Sequence, residues 1–274
     1  MSTLYLVATP IGNMEDVTLR ALRVLGEVPL IAAEDTRTTR KLLTHHGIGA
    51  PRLLSYTERN RRARTPAILA ALDEGDVALV SDAGMPAISD PGVHLVEAAV
   101  AAGHRVVPLP GASALTAAVA ASGLPTRRFH YLGFLPRRAG ERRKLLRGVA
   151  ILTETLVAFE APHRLRASLT DLRDVLGERR IAACRELTKL HEEIFRGTVS
   201  EALDHFHEPL GEFTLVIEGA PEGGVKREAA DIDAELRALR AQGLRARDAV
   251  RGVATNLGLP HRDVYQRWLA LDEE

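Results

Sequence analysis

Short apolar runs alternate along the first half of the chain with segments whose apolar positions recur at helical spacing. Residues 4–8, 29–33, 53–56, 77–80 and 105–109 read as buried strands. The first intervening helix is expected after a cap at Asp16 or Thr18, with Val17, Leu19, Leu22, Val24 and Leu25 as its apolar stripe. Thr36 is the expected cap of the second, which runs through Leu42 and Leu43 to Gly47; further helices are predicted over 67–72, 93–102 and 114–121. Such alternation implies a mainly parallel α/β layer structure. Gly123-Leu124-Pro125-Thr126 marks a boundary, and the pattern then restarts. Strands are expected over 129–135, 156–159, 181–184, 194–197 and 213–217, with helices over 141–149, from Pro162 through Leu176, and over 199–206. A charged linker opens at Pro221-Glu222-Gly223-Gly224, and three short helices follow, over 232–240, 246–257 and 262–271, with breaks at Gly243 and Leu259-Pro260. The predicted organisation is an N-terminal α/β domain (1–123), a second α/β domain (124–220), a linker (221–230) and a small helical domain (231–274).

The joins between elements carry the candidate chemistry. Ser81-Asp82-Ala83-Gly84-Met85-Pro86-Ala87-Ile88-Ser89-Asp90-Pro91-Gly92 follows the fourth strand, and its glycines and prolines shape the loop. Loops at the carboxyl ends of parallel strands line one side of a sheet, where ligands bind. Gly12, Asp82-Ala83-Gly84, Ser89-Asp90 and Pro110-Gly111-Ala112-Ser113 all occupy such ends. Asp82 and Asp90 are acceptors for a hydroxyl or ammonium group, or caps of neighbouring turns. This set suits an uncharged-to-cationic, extended cofactor better than a triphosphate. The turn after the first strand, Thr9 to Asn13, contains only Gly12, so the dinucleotide fingerprint is absent, and no glycine-rich stretch leads into Gly-Lys-Ser/Thr. A simple nicotinamide enzyme or nucleoside triphosphatase is disfavoured.

Composition narrows the rest. In 274 residues, 36 Lys and Arg balance 36 Asp and Glu, so any nucleic-acid contact must be local. The single cysteine, Cys184, excludes an intrachain disulfide and a cysteine-based zinc cluster. Residues 1–10 do not read as a signal peptide, no apolar run approaches the ~20 residues needed to span a bilayer, and a cytoplasmic location is expected. Arg59, Arg61, Arg62 and Arg64 form one basic cluster, and Arg137, Arg138, Arg142, Arg143 and Lys144 another; each is a solvated loop or a phosphate-binding patch. Aromatic residues are 4% of the chain, which argues against base stacking as the main means of RNA recognition.

Taken in order, Ala8-Thr9-Pro10-Ile11-Gly12-Asn13, Ala32-Ala33-Glu34-Asp35-Thr36-Arg37, Val80-Ser81-Asp82-Ala83-Gly84, Ile88-Ser89-Asp90-Pro91-Gly92 and Val107-Pro108-Leu109-Pro110-Gly111 resemble the ribosomal RNA small-subunit methyltransferase I group of the tetrapyrrole methylase superfamily. Gly133-Phe134-Leu135-Pro136, Pro162-His163-Arg164-Leu165 and Arg185-Glu186-Leu187-Thr188-Lys189-Leu190-His191-Glu192-Glu193 extend the match, which runs from about Leu4 to about Ala220. The resemblance implies two α/β domains with S-adenosyl-L-methionine in the cleft between them, a homodimer, and 2'-O-methylation of a cytidine in the decoding centre of 16S rRNA in the small ribosomal subunit. It implies cofactor contacts from Pro10, Gly12, Asp82, Ala83, Gly84, Ile88, Ser89, Asp90, Pro110, Gly111, Ala112, Phe134, Pro162, His163, Gly211 and Phe213. The chain departs from the family pattern at Thr57 and Arg59, where histidines are usual, at Phe159 and Ala161, where hydroxyl side chains are usual, and mildly at Ala112.

Methyl transfer to a ribose hydroxyl is an in-line displacement that asks for alignment and a proton acceptor, with no metal. Asp35, Glu34, Glu160, Glu186 and Glu192 are candidate bases, and Lys189 would assist if burial lowered its proton affinity. Asp35 is favoured because it ends a strand beside Arg37, which either orients it or holds a phosphate; helix capping is the plain alternative. Glu186 and Lys189, three apart, equally suit a structural ion pair. Arg37 joins the two basic clusters as an expected RNA contact. The helical tail, with Arg245, Arg247, Arg251, Arg262 and Arg267, reads as helix-turn-helix or as a packing module. Two other readings stay open: a methylase acting on a corrin precursor, and a non-catalytic RNA-binding or assembly factor.

Overall fold

The computed structural model describes residues 2–49, 51–221, 229–241, 243–257 and 259–271. The Gly223-Gly224 linker and the break at Gly258 lie outside them. The chain forms two compact units, Met1–Ala121 with Cys184–Ile194, and Ser122–Ala183 with Phe195–Glu274.

The first unit is built on a five-stranded sheet of β1 (Thr3–Val7), β2 (Leu30–Ala33), β3 (Arg52–Ser55), β4 (Val77–Val80) and β5 (Arg105–Leu109), in the order β3-β2-β4-β1-β5. Its neighbours pair in parallel, as the alternation predicts. Every residue of β2 and β4 is buried, because both faces of the sheet are covered. Side chains alternate across each strand. Ile31 and Ala33 pack with Val24 and Leu25 of α1 (Leu19–Glu27) and Leu42 of α2 (Thr36–His45); Leu30 and Ala32 face Ile68 and Leu72 of α3 (Arg61–Glu74) and Leu95 of α4 (Val93–Ala101). α5 (Ala114–Ala121) ends the run. Thr18 caps α1, its hydroxyl accepting from the amide of Ala21 at 3.1 Å. The cap of α2 is Asp35 rather than Thr36. α3 begins at Arg61, well before the expected start, and carries Pro66 within it, so the basic run 61–64 is the helix's first turn and not a loop.

The second sheet and its helices comprise β6 (Phe129–Phe134), α6 (Ala139–Val149), β7 (Thr155–Glu160), α7 (Pro162–Leu176), β8 (Arg180–Arg185), β9 (Glu193–Thr198), α8 (Val199–His205) and β10 (Phe213–Ile217), with sheet order β6-β7-β10-β8-β9. β6 and β7 run parallel, whereas β7 and β10 are antiparallel. Leu156, Ala158, Leu165, Leu169, Leu172, Leu215 and Ile217 fill its core. α9 (Ala229–Ala241), α10 (Ala246–Leu257) and α11 (His261–Ala270) gather around Leu236, Val250, Val253, Val264 and Trp268, a core that shares no residue with the others. No helix among the described residues is long and apolar enough to cross a membrane.

Candidate active site

Parallel pairing carries the carboxyl ends of β1, β2, β4 and β5 to one edge of the first sheet, and the expected N-terminal residues meet there. Thr9 and Gly84 bond to each other through both backbone amides at 2.9 Å, pinning the turn after β1 to the turn after β4. The Thr9 hydroxyl donates to the Ser81 carbonyl at 3.2 Å. The amide of Asp35 donates to Asp82 Oδ1 at 3.0 Å, and the amide of Asp82 donates to Glu34 Oε2 at 3.3 Å, so the ends of β2 and β4 are cross-tied through carboxylates. Gly111 lies against Ala8: a Cβ on it would stand 2.9 Å from the Ala8 methyl.

Backbone strain concentrates in two loops. Among the described residues, the non-glycines with positive φ are Ala87 (70°), Ser89 (64°), Glu186 (50°) and Thr188 (66°). Such angles cost L residues energy and mark segments held by their surroundings. The 186–189 loop belongs to the first unit, outside the span expected for it, because it packs on the turn after β1. A Cβ on Gly12 would fall 2.3 Å from Lys189 Cγ, and the Asn13 amide donates to Thr188 Oγ1 at 3.2 Å. Lys189 Nζ pairs with Glu186 Oε1 at 2.8 Å, and Glu192 Oε2 accepts from the amide of Thr188 at 2.6 Å.

The carboxylates divide by surroundings. Asp35 accepts from the amide of Arg37 at 2.8 Å and is gripped by its guanidinium, Nη2 to Oδ2 at 2.6 Å. Those bonds to Arg37 hold its carboxyl down at about 2. Asp35 is thus a helix cap and ion-pair partner, and a weak proton acceptor. Glu160, at the end of β7, is buried; it accepts from the Ala161 amide at 2.8 Å, from Ser168, and from Arg164 at 2.5 Å. Burial pushes Asp90 up to about 6, with the Glu34 and Asp82 charges adding to the effect. Burial likewise raises Glu34 and Asp82, against the bonds each accepts from a backbone amide. Glu34, Asp82 and Asp90 therefore form an acidic group in which the Glu34 and Asp82 charges add to the rise at Asp90.

The remaining expected contacts belong to the second unit. Phe134 is exposed at the end of β6 with its ring 5.4 Å from Phe159; Pro162 and His163 open α7 with His163 exposed; Gly211 has φ 82° and Phe213 is buried at the start of β10. The basic clusters are partly committed to the fold. Arg142, expected to contact RNA, is a core residue: its side chain is 4% exposed, pairs with Asp171 at 2.5 Å and donates to the Pro136 carbonyl at 3.1 Å. Arg143 shares Asp171, Arg138 pairs with Glu141 and Arg61 with Glu58, whereas Arg59, Arg62, Arg137 and Lys144 are exposed.

Residues 3–203 match the model of the Tetrapyrrole (Corrin/Porphyrin) Methylases. The chain is 50% identical to a protein of Synechocystis named ribosomal RNA small subunit methyltransferase I, over the whole of both chains. It is 52% identical to the Thermotoga maritima protein of that name, over 80% of this chain and 99% of the relative. A Thermus thermophilus uroporphyrin-III C-methyltransferase, solved with S-adenosylhomocysteine, superposes with a TM-score of 0.56 at 20% identity, over 79% of this chain and 97% of that one. The chain belongs to the tetrapyrrole methylase family and, within it, to the ribosomal RNA small subunit methyltransferase I group.

Proposed function

We propose that this protein transfers a methyl group from S-adenosyl-L-methionine to the 2'-hydroxyl of a cytidine in 16S rRNA. The observation that carries the reading is the edge of the first sheet, where the family's ordered motifs are brought together by backbone and side-chain bonds. The donor set fits the cofactor. Glu34, Asp82 and Asp90 offer carboxylate charge to a cationic group and acceptors to hydroxyls, while the glycines at 84 and 111 let backbone turn and pack tightly beside them. When bound, S-adenosylmethionine supplies an electrophilic methyl on a sulfonium, so no leaving group needs a proton.

Two tasks fall to the chain's own residues. Asp82 and Asp90, fixed by the strained loop, orient the cofactor. The ribose proton goes to the Glu34–Asp90 pair, whose raised pKa values bring it toward the working pH, as general-base efficiency requires. Asp35, tied to Arg37, holds the start of α2 in place. Homodimeric assembly, assembled small subunits as the form of the RNA substrate and a cytoplasmic location belong to the same proposal and are supported by the relatives' shared name and the family resemblance.

The test is transfer of labelled methyl from S-adenosylmethionine to small subunits lacking the modification, followed by nucleoside analysis. A ribose-methylated cytidine is expected; absence of label in RNA from a protein that binds the cofactor overturns the reading. Glu34→Gln and Asp90→Asn should flatten the acid limb of the kcat profile, whereas Asp35→Asn should keep it.

A further inference from the structure

The geometry points to the outer face of α2 as a docking surface for the RNA's phosphate backbone, leading to the acidic edge. This inference rests on the methyltransferase reading above and deepens it. Arg37, Arg40, Lys41, Thr44 and His45 fall at i, i+3, i+4, i+7 and i+8, one side of the helix, while Thr39, Leu42 and Leu43 are buried on the other. The five side chains line an open depression of about 560 Å³. The helix, Thr-Arg-Thr-Thr-Arg-Lys-Leu-Leu-Thr-His, contains no carboxylate.

Its cations differ in what they touch from four members of the two sequence clusters. Arg142 and Arg143 are spent on Asp171, Arg61 on Glu58 and Arg138 on Glu141. Among the described residues, no carboxylate pairs with Arg40 or Lys41, and both are exposed. Two unpaired cations and a threonine hydroxyl on one helical face suit phosphate oxygens. The face also starts in the right place. α2 grows from the end of β2, so Arg37 stands at the carboxylate group, and the stretch to His45 runs about 12 Å from it at helical rise. Arg37 is already shared with Asp35, which leaves Arg40 and Lys41 as the positions that hold the strand.

The experiment compares the full-length wild type with Arg40→Gln/Lys41→Gln and with a control, Arg20→Gln/Arg52→Gln, which removes two exposed cations elsewhere on the same unit. KM for unmodified small subunits, its salt dependence, and calorimetric affinity for S-adenosylhomocysteine are measured for each. The α2 variant should raise KM about tenfold or more, lower the salt slope by about 2, and leave kcat and cofactor affinity near wild type. The control should match wild type. Wild-type KM and slope in the α2 variant overturn the inference while the function stands; an equal effect in the control overturns it too, since net charge and not this face is then responsible. If wild type methylates no RNA, the functional reading falls first and the inference with it. Loss of binding to anionic phospholipid vesicles, with subunit KM unchanged, makes the face a membrane contact and overturns it as well.

Discussion

Asp90 sits in a loop whose neighbours Ala87 and Ser89 are forced to positive φ, and its carboxyl titrates at about 6 rather than 3.8. A carboxyl with a raised folded pKa contributes stability while protonated, fully so below its unfolded value, and loses that contribution as pH rises through the folded value. Ionised Asp90 therefore costs the fold stability above pH 6. Asp90→Asn should raise the urea midpoint relative to wild type at pH 8 and lose that advantage near pH 4. Cofactor binding should run the other way: a cationic ligand prefers the ionised loop, so wild-type affinity for S-adenosylmethionine should weaken as pH falls through about 6. Glu34→Gln removes one of the charges that holds Asp90 up, and should move that midpoint lower. A cofactor affinity independent of pH between 5 and 8 would remove Asp90 from the binding site.

The clearest case at the scale of an element is α6 against α7, joined by Arg142 on Asp171 with both side chains nearly inaccessible, 4% and 3% exposed. Arg142→Ala leaves the buried Asp171 carboxylate with the half-exposed Arg143 as its remaining ion-pair partner, so it should cost about 3 kcal/mol in denaturant unfolding, the low end for a broken buried pair, whereas Arg137→Ala should change little. RNA affinity per folded molecule should be unaffected by Arg142→Ala. The sequence showed a run of cations there but not the inward turn of one of them, since a run gives no hint of which positions face the core. The same limit hid the outer face of α2: Arg40 and Lys41 are only two adjacent cations in sequence, and their alignment with Arg37, Thr44 and His45 becomes visible only at helical spacing. Strands were legible for a simpler reason. Full burial on both faces leaves runs such as Val77-Ala78-Leu79-Val80, with no polar position to confuse them. The two readings of Asp35 could not be separated in sequence, because a strand-end carboxylate looks alike as cap or base; the Arg37 fork and the cap bond are visible only in the structure. The packing of Thr188 and Lys189 on Gly12 has a sequence separation of more than 170 residues, and no local pattern encodes it.

At the scale of the whole molecule, four hydrophobic clusters hold separate sets of the described residues, three around the two sheets and one in the helical tail, whose buried side chains among the described residues come from α9, α10 and α11. Arg267 pairs with Asp233 and Arg240 lies over the Trp268 ring at 5.4 Å, so these two cations are used within the module, while Arg245, Arg247 and Arg262 are exposed. The Thermotoga relative is matched over 99% of its length by 80% of this chain, so about a fifth of this chain has no counterpart in it. Ending the chain at Pro221 should therefore leave the two α/β cores intact: among the described residues their clusters include none from the tail, and the loops proposed to hold the cofactor all precede it. The shortened protein is expected to bind S-adenosylhomocysteine with wild-type affinity and to unfold within a few degrees of the full chain, since a change of about 1 kcal/mol shifts a domain of this size by only ~2–4 °C. Methyl transfer then separates the two readings of the tail. A packing module predicts unchanged KM for small subunits; a nucleic-acid arm predicts a raised KM, unchanged kcat and a shallower salt dependence, because exposed arginines that neutralise phosphates leave with the helices. Collapse of cofactor binding in the shortened chain would show that the separate cores do not amount to separate stability.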